Sequence, residues 1–384
     1  MKILNYIIST SILWMVACSN YSESTEAPSV KEEESVINFQ ENDWDRASKL
    51  ISGIPVESTY TLDSGYVKSH ASFMNEQFEK IRARRLHPLG QWMETTVDSS
   101  AYHSESTVFY PFSGGDFIHM HEIYPNATNY VMMAIEPIGT IPNFRNLNGI
   151  QIDSALHESK VLLRDIFFRS YFITKHMQSD ISRSKYVRGI LPSILWGIVV
   201  SGHSILSVES ISLNSDGVLL PEIVEIGSEF NTGVRITFAD PESKHVQTVT
   251  YLSCDISDSG FSSSPELKAY ISSLGGFKSF VKAASYLMHY STFSTIRSLL
   301  IDQSVFHLQD DTGIPFKFFN PEIFHSELYG HYVTPVSDFS ENLFQPDLAK
   351  AYTDTDLFAG TLPFSMGYHW GTNLQNQMVF KRIE

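Results

Sequence analysis

The chain has 384 residues, 42% of them hydrophobic and 13% aromatic, enough for a sizeable core in one large or two medium domains. Its 43 acidic and 27 basic residues leave a net charge of −16. With no basic surplus to displace counterions, a nucleic-acid partner and adsorption to an anionic membrane face are both disfavoured.

Residues 1–17, MKILNYIISTSILWMVA, run from one Lys through an apolar stretch to a small residue. That is a secretory signal, too short and wrongly flanked for a membrane span. Met15-Val16-Ala17-Cys18 resembles the lipobox of bacterial lipoproteins, with Met where Leu is commoner. The resemblance implies cleavage before Cys18 and a membrane anchor of several acyl chains on that residue. Ser19 follows, with no Asp retention signal, which implies outer-membrane delivery facing the periplasm. Cys254 then has no intramolecular partner and is expected to be a buried structural thiol. Residues 18–45 carry Glu32-Glu33-Glu34 and no hydrophobic period, and are expected to form a disordered acidic tether. An α/β body over 46–313 should follow, with an aromatic-rich part over 314–384 packed on it.

Helical spacing is predicted over Ser72–Trp92, where Arg82, Arg84 and Arg85 make a basic cluster read as a solvated face. The central stretch, Phe109–Gly139, holds two β-like runs. Thr107–Phe112 breaks at Ser113-Gly114-Gly115-Asp116, and Tyr130–Ile135 breaks at Glu136-Pro137. Glycine turn, short amphipathic segment, strand and acid is how a nucleotide-binding α/β unit begins, and also how ligand-free α/β proteins are built. Further helices are predicted over Ile152–His176 and Pro192–Val200, and a strand over Ile205–Leu213. Gly233–Asp240 and Val246–Asp255 alternate and should pair as an antiparallel hairpin. Helices over Pro265–Ser273, Lys278–Tyr290 and Thr292–Asp302 complete the body. Residues 314–384 hold fourteen aromatics, above the chain average, and are read as core.

Asp311-Thr312-Gly313 matches the aspartic-protease triplet, and Asp63-Ser64-Gly65 and Asp258-Ser259-Gly260 supply further copies. None follows an apolar strand, and Asp-Gly combinations are good turn formers. Ser279-Phe280-Val281-Lys282 has a serine–lysine spacing on a predicted helix, but the remaining motifs of such enzymes are missing. His119 and His121, near Asp116, are the best metal candidates. On a strand they would share a face and on a helix they would not, and the preceding turn suggests a helix. Zinc is therefore not favoured.

Several blocks together resemble an uncharacterised family of bacterial secreted or lipid-anchored proteins. They are FYPFSGGDF, YVMMAIEPIG, KAASYLMHYSTFSTIR, QDDTGIPFKFF and LPFSMGYHW, spanning roughly Phe109–Trp370. The resemblance implies a shared fold and no particular activity. The fold expected is α/β, a mixed sheet flanked by helices, in a Rossmann-like or another arrangement. The leading functional expectation is a binding or scaffolding module anchored at the envelope. Its rival is a Rossmann-like, methyltransferase-like or metal-dependent enzyme. Ser113, Gly114, Gly115, Asp116 and Glu136 are the candidate ligand-binding residues, preferring polyol, amine or cation groups over anions. The cofactor is left open, an adenosylmethionine-type ligand tolerating Asp116 better than a phosphorylated one.

Overall fold

In Thr107–Pro111 (β1) and Asn129–Ala134 (β2) apolar side chains serve both faces of a sheet. Val108, Tyr110, Tyr130 and Met132 enter one core, while Phe109, Val131 and Met133 enter the other. Strands buried on both faces read as continuous apolar runs and belong at the centre of an α/β sheet. The computed structural model, which describes residues 41–56, 65–171, 184–228, 232–371 and 374–383, places them there. The signal segment, Cys18, the tether up to residue 40, Asp63, Ser64 and the end of the predicted Ile152–His176 helix lie outside the described residues.

The fold is α/β. Eleven strands form one mixed sheet in the order β10-β9-β11-β8-β7-β1-β2-β6-β5-β3-β4. The remaining strands are β3 (Ser204–Leu213), β4 (Leu219–Pro221), β5 (Gly233–Ala239), β6 (Val246–Ser253), β7 (Phe277–Val281), β8 (Ser304–Gln309), β9 (Phe324–Gly330), β10 (Phe358–Gly360) and β11 (Asn376–Arg382). Five of them, β6-β2-β1-β7-β8, are mutually parallel. Ranked by sequence these read 3-2-1-4-5, the doubly wound order, and it reverses between β1 and β7. The predicted hairpin of β5 and β6 is present, and β3 and β4 extend that edge antiparallel. On the other side β11 lies antiparallel between β8 and β9. Residues 314–384 are thus part of the same sheet.

One face of the sheet is covered by α1 (Asp43–Ser52), α3 (His87–Trp92), α4 (Ser99–His103), α5 (Phe117–Ile123), α6 (Gly149–Arg169) and α7 (Leu191–Val200), with α2 (Gly65–Ile81) packed outside. The other is covered by α8 (Asp258–Ser263), α9 (Pro265–Ser273) and α10 (Ser294–Gln303). The first helix begins at Asp43, capped by Asn42, so order reaches into the segment expected to be tether. The charge-free run behind Gly189 becomes α7, buried along Leu191–Val199, where a polar face would find no water. Among the described residues no helix is long and apolar enough to cross a membrane.

The predicted helix Lys278–Tyr290 is a correction. Its first half is β7, its middle a loop, and its end a short 3₁₀ turn, Leu287–His289. Its first polar residues are Lys278 and Ser279. Both are buried in the strand, and their polar atoms are satisfied there. The Lys278 ammonium donates to the Ala101 carbonyl at 2.5 Å, and Ser279 Oγ pairs with Ser304 Oγ at 2.7 Å. A two-sided buried strand carries no period that separates it from a helix.

Burial pushes the histidines of this core down: His70, His119, His289 and His307 to about 4 and His121 to about 3. In the unfolded chain each titrates near about 6.5. Their contribution to stability is therefore complete above that value and is lost as pH falls toward the folded values. Asp310, raised to about 6 by burial and by Asp311, acts in the opposite sense, as do Glu122, raised by burial, and His369, raised against burial by its hydrogen bond to Asp311, while His203, lowered by burial, joins the five. The melting temperature should fall steadily below pH 6.5, each histidine costing about 1.4 kcal/mol per pH unit at most. A melting temperature flat from pH 7 to 5 would contradict this.

Candidate ligand cavity at the switch point

The carboxyl ends of β1, β2, β6 and β7 open onto one cavity of about 800 Å³. In doubly wound sheets the strand-order reversal leaves such a crevice, because loops on its two sides turn to opposite faces. β1 leaves through Phe112, Ser113 and Gly114, and β2 through Ile135 and Glu136. β6 contributes Cys254, Asp255 and Ile256, and β7 contributes Lys282–Ser285. Arg169 at the end of α6, Tyr171 just beyond it, and Asp338, Phe339 and Tyr368 from the C-terminal region complete the wall.

Of the candidate residues, Ser113, Gly114, Asp116 and Glu136 line this cavity together. Gly115 does not. A Cβ there would lie 1.8 Å from Ser193 Oγ and 3.3 Å from the Ile190 carbonyl oxygen, so its missing side chain lets the loop seat against the start of α7. Arg145, the next cation along the chain after Glu136, pairs with Asp43 at 2.8 Å. Cys254 is held by burial at a pKa of about 12, a thiol with little nucleophilic character at neutral pH.

Asp116 stands at the N-cap position of α5 but makes no capping hydrogen bond. Its carboxylate turns inward, to the Lys282 ammonium, to His119 Nδ1 at 2.6 Å and to the Tyr110 hydroxyl at 3.2 Å. Lys282 is 1% exposed and Asp116 2%. Burial opposes charge on both. It lowers the Lys282 pKa, which Asp116 pulls back upward, while for Asp116 the combined pull of His119 and Lys282 overcomes burial and leaves the carboxyl below its usual range. His119 is neutral at pH 7 and donates Nδ1–H to Asp116. Lys282 also donates to the Ser170 carbonyl at 2.5 Å. Arg85 stands behind this group, its guanidinium bonded to the carbonyls of Ser365 at 3.0 Å and Ile166 at 3.1 Å. It belongs to a π-helical turn, Arg82–Leu86, that turns it inward, while Arg82 and Arg84 stay exposed.

The helix separates the two metal candidates. His119 faces Asp116, and His121 packs between Phe117 and His203, at ring distances of 5.3 and 4.9 Å. Among the described residues no three His, Cys, Asp or Glu side chains are placed to hold a metal ion.

Backbone strain gathers at the same rim. Phe112, Ser170, Ala283, Ser285 and Tyr286 all have φ between 53° and 74°, where non-glycine residues are rare. The loop after β7 is held there by Asp310 and by the protease-like triplet that follows it. Ala283 N donates to Asp310 Oδ2 at 2.9 Å, Ala284 N to Thr312 Oγ1 at 2.8 Å, and Tyr286 N to the Thr312 carbonyl at 3.1 Å. Asp311 receives the Tyr286 hydroxyl and Asn376 Nδ2. Asp258 caps α10 through Ser294 and Thr295. These carboxylates hold backbone and side chains in place.

Lys282 is the site residue that sequence reasoning missed, having been weighed only as a base for Ser279. On β7 the Ser279 side chain faces His307 and Ser304. The available signal was an isolated cation closing an apolar run just before Ala283-Ala284-Ser285. Against known proteins, the chain matches no protein-family model and no curated protein.

Asp116 and Glu136 should part company on mutation. Asp116→Asn or Lys282→Met strands a buried charge and should cost about 3–5 kcal/mol, with the double replacement recovering much of it. Glu136→Gln, at a buried position on the cavity wall, keeps the side chain's size and hydrogen-bonding capacity and should cost less than either of these changes. Denaturant titration measures all four; wild-type stability in both single variants would remove the ion pair from its structural role.

Proposed function

We propose that this is a ligand-binding protein of Rossmann-like build whose cavity takes a nucleoside without phosphate, either neutral or cationic, with adenosylmethionine the cofactor of that class. One observation carries the reading. Glu136 at the end of the second parallel strand and Gly114 after the first meet in a cavity of about 800 Å³, where a phosphate cradle is replaced by a carboxylate. A ribose fits this pairing, because an acid at the end of the second strand accepts from two vicinal hydroxyls. A pyrophosphate does not. Asp116 stands where it would approach, and Lys282, the nearest cation, already neutralises Asp116. Ile135 at 60% exposure and Ile256 offer apolar surface beside Glu136 for a base.

The antiparallel β11, slotted between β8 and β9, is the arrangement of methyltransferase-like sheets, and by analogy of fold it favours the adenosyl member of the class. Cavities of this size bury most of a small ligand. Strained backbone at the rim is also what pre-organised sites carry.

The test is calorimetric titration with adenosine, adenosylmethionine, NAD and ATP. The first two should bind saturably, and the phosphorylated pair at least about tenfold more weakly. Glu136→Gln should weaken adenosine about tenfold, as expected for a lost charged hydrogen bond. Tighter binding of ATP or NAD, or no saturable binding at all, would overturn the reading.

The address proposed is the envelope, with a lipid on Cys18 supported by the lipobox-like Met15-Val16-Ala17-Cys18. Metabolic palmitate labelling of the wild type and loss of membrane fractionation in Cys18→Ser are the expected results. A wild type without label, and a variant that still fractionates with membrane, would refute it.

A further inference from the structure

The cavity runs past the nucleoside end. Glu136 and Cys254 belong to the β2–β6 side, whereas Ser285 follows β7, on the other side of β1. Successive strands lie about 4.8 Å apart, so β6 and β7 stand roughly 14 Å from one another. On the β7 side the wall is aromatic. Tyr171, Phe339 and Tyr368 all line it. Tyr368 meets Tyr171 at a centroid distance of 4.6 Å and 69° between ring planes, and Phe339 at 5.3 Å and 61°. Both contacts are edge-to-face, the arrangement in which aromatic pairs commonly pack, and the three rings together form one corner of the cavity wall.

Each wall is fixed. Tyr368 Oη pairs with Ser285 Oγ at 2.7 Å, and Phe339 leans on the buried Tyr286 at 5.2 Å. Ser285 and Tyr286 are two of the residues held at positive φ, so the strained loop serves to present this wall. Burial raises the phenol pKa values of Tyr171 and Tyr368; Asp338, exposed at the rim, adds to this, and Arg169, hydrogen-bonded to Tyr171, opposes it there. Arg169 is the cation on this side, and Asp165 lies 3.9 Å from it.

We infer that the Tyr171–Phe339–Tyr368 corner, with Asp338 at its rim, is a second subsite that binds an alkylated ammonium group. Ring faces attract a cation through their quadrupole, and a quaternary or methylated ammonium, which gives up little hydration, suits them best. The exposed Asp338 carboxylate adds long-range attraction for a cation. The inference deepens the functional reading above by naming the class of the second ligand in the same cavity.

The probe is choline, set against its uncharged isostere with carbon in place of nitrogen, both titrated without nucleoside. Choline should bind saturably and at least about tenfold more tightly than the isostere. Phe339→Leu and Tyr368→Leu should each weaken choline by roughly tenfold, while Tyr368→Phe, which keeps the ring, should bind nearly as wild type. Asp338→Asn should reduce the salt dependence of binding. Equal binding of the isostere, unaltered binding in both Leu variants, or no saturation by choline would overturn the inference. Adenosine titrated into the same Leu variants separates the two proposals. Choline binding without adenosine binding would sink the nucleoside reading alone, and the converse would sink this one alone.

Discussion

The Asp116–Lys282 ion pair is the constraint on which the rest of this site depends. Asp116 follows β1 and Lys282 follows β7, the two strands between which the sheet reverses its order. A crevice opens at such a point unless something spans it, and this pair spans it at the floor. Lys282 extends the tie to the end of α6 through the Ser170 carbonyl, and Ser170 Oγ receives Gly367 N at 3.0 Å from the C-terminal region. Four segments distant in sequence are fixed around one ammonium. The desolvation of two charges is costly, and it is offset only because each has further partners.

That floor also decides what the cavity rejects. In a dinucleotide site the glycine loop and helix N-terminus present bare N–H groups to phosphate. Here α5 has seven residues and a carboxylate at its cap position, and Gly115 is spent on packing against α7. The same sequence pattern, glycines followed by an acid, therefore builds the cavity without building a phosphate cradle. The distinction rests on the direction of the Asp116 side chain, which no spacing rule reports.

Much of the architecture was legible where the hydrophobic pattern was unambiguous. β5 and β6 alternate, α7 is apolar throughout, and α6 shows a broad apolar stripe. Legibility failed where polar residues are buried and satisfied over long sequence distances. β7 was expected to be helical, and nothing local shows that Lys278 and Ser279 find their partners at Ala101 and Ser304. The same holds for the cavity. Ser113, Gly114, Asp116 and Glu136 could be named from turns and strand ends, but Lys282 could not, since its meaning comes from Asp116 across the switch point. Nor could the aromatic richness of residues 314–384 be divided by sequence between core rings such as Phe380 and cavity rings such as Tyr368.

The blocks FYPFSGGDF, YVMMAIEPIG, KAASYLMHYSTFSTIR and LPFSMGYHW each place residues on the cavity wall, and QDDTGIPFKFF lies directly behind it. Asp310 explains why that last block matters to a surface it does not line. Its carboxylate holds Ala283 N and packs so near Gly367 that a Cβ there, already strained at φ 73°, would come within 2.7 Å of Oδ2. Gly367 immediately precedes Tyr368, and Ala283 precedes the loop that carries Ser285. One buried acid thus sets the backbone on both sides of the Ser285–Tyr368 hydrogen bond. Burial and the neighbouring Asp311 raise its pKa to about 6, so its charge, and with it the grip on Ala283 N, weakens on mild acidification. The Ser285–Tyr368 side of the cavity is thus coupled to a titrating group behind it.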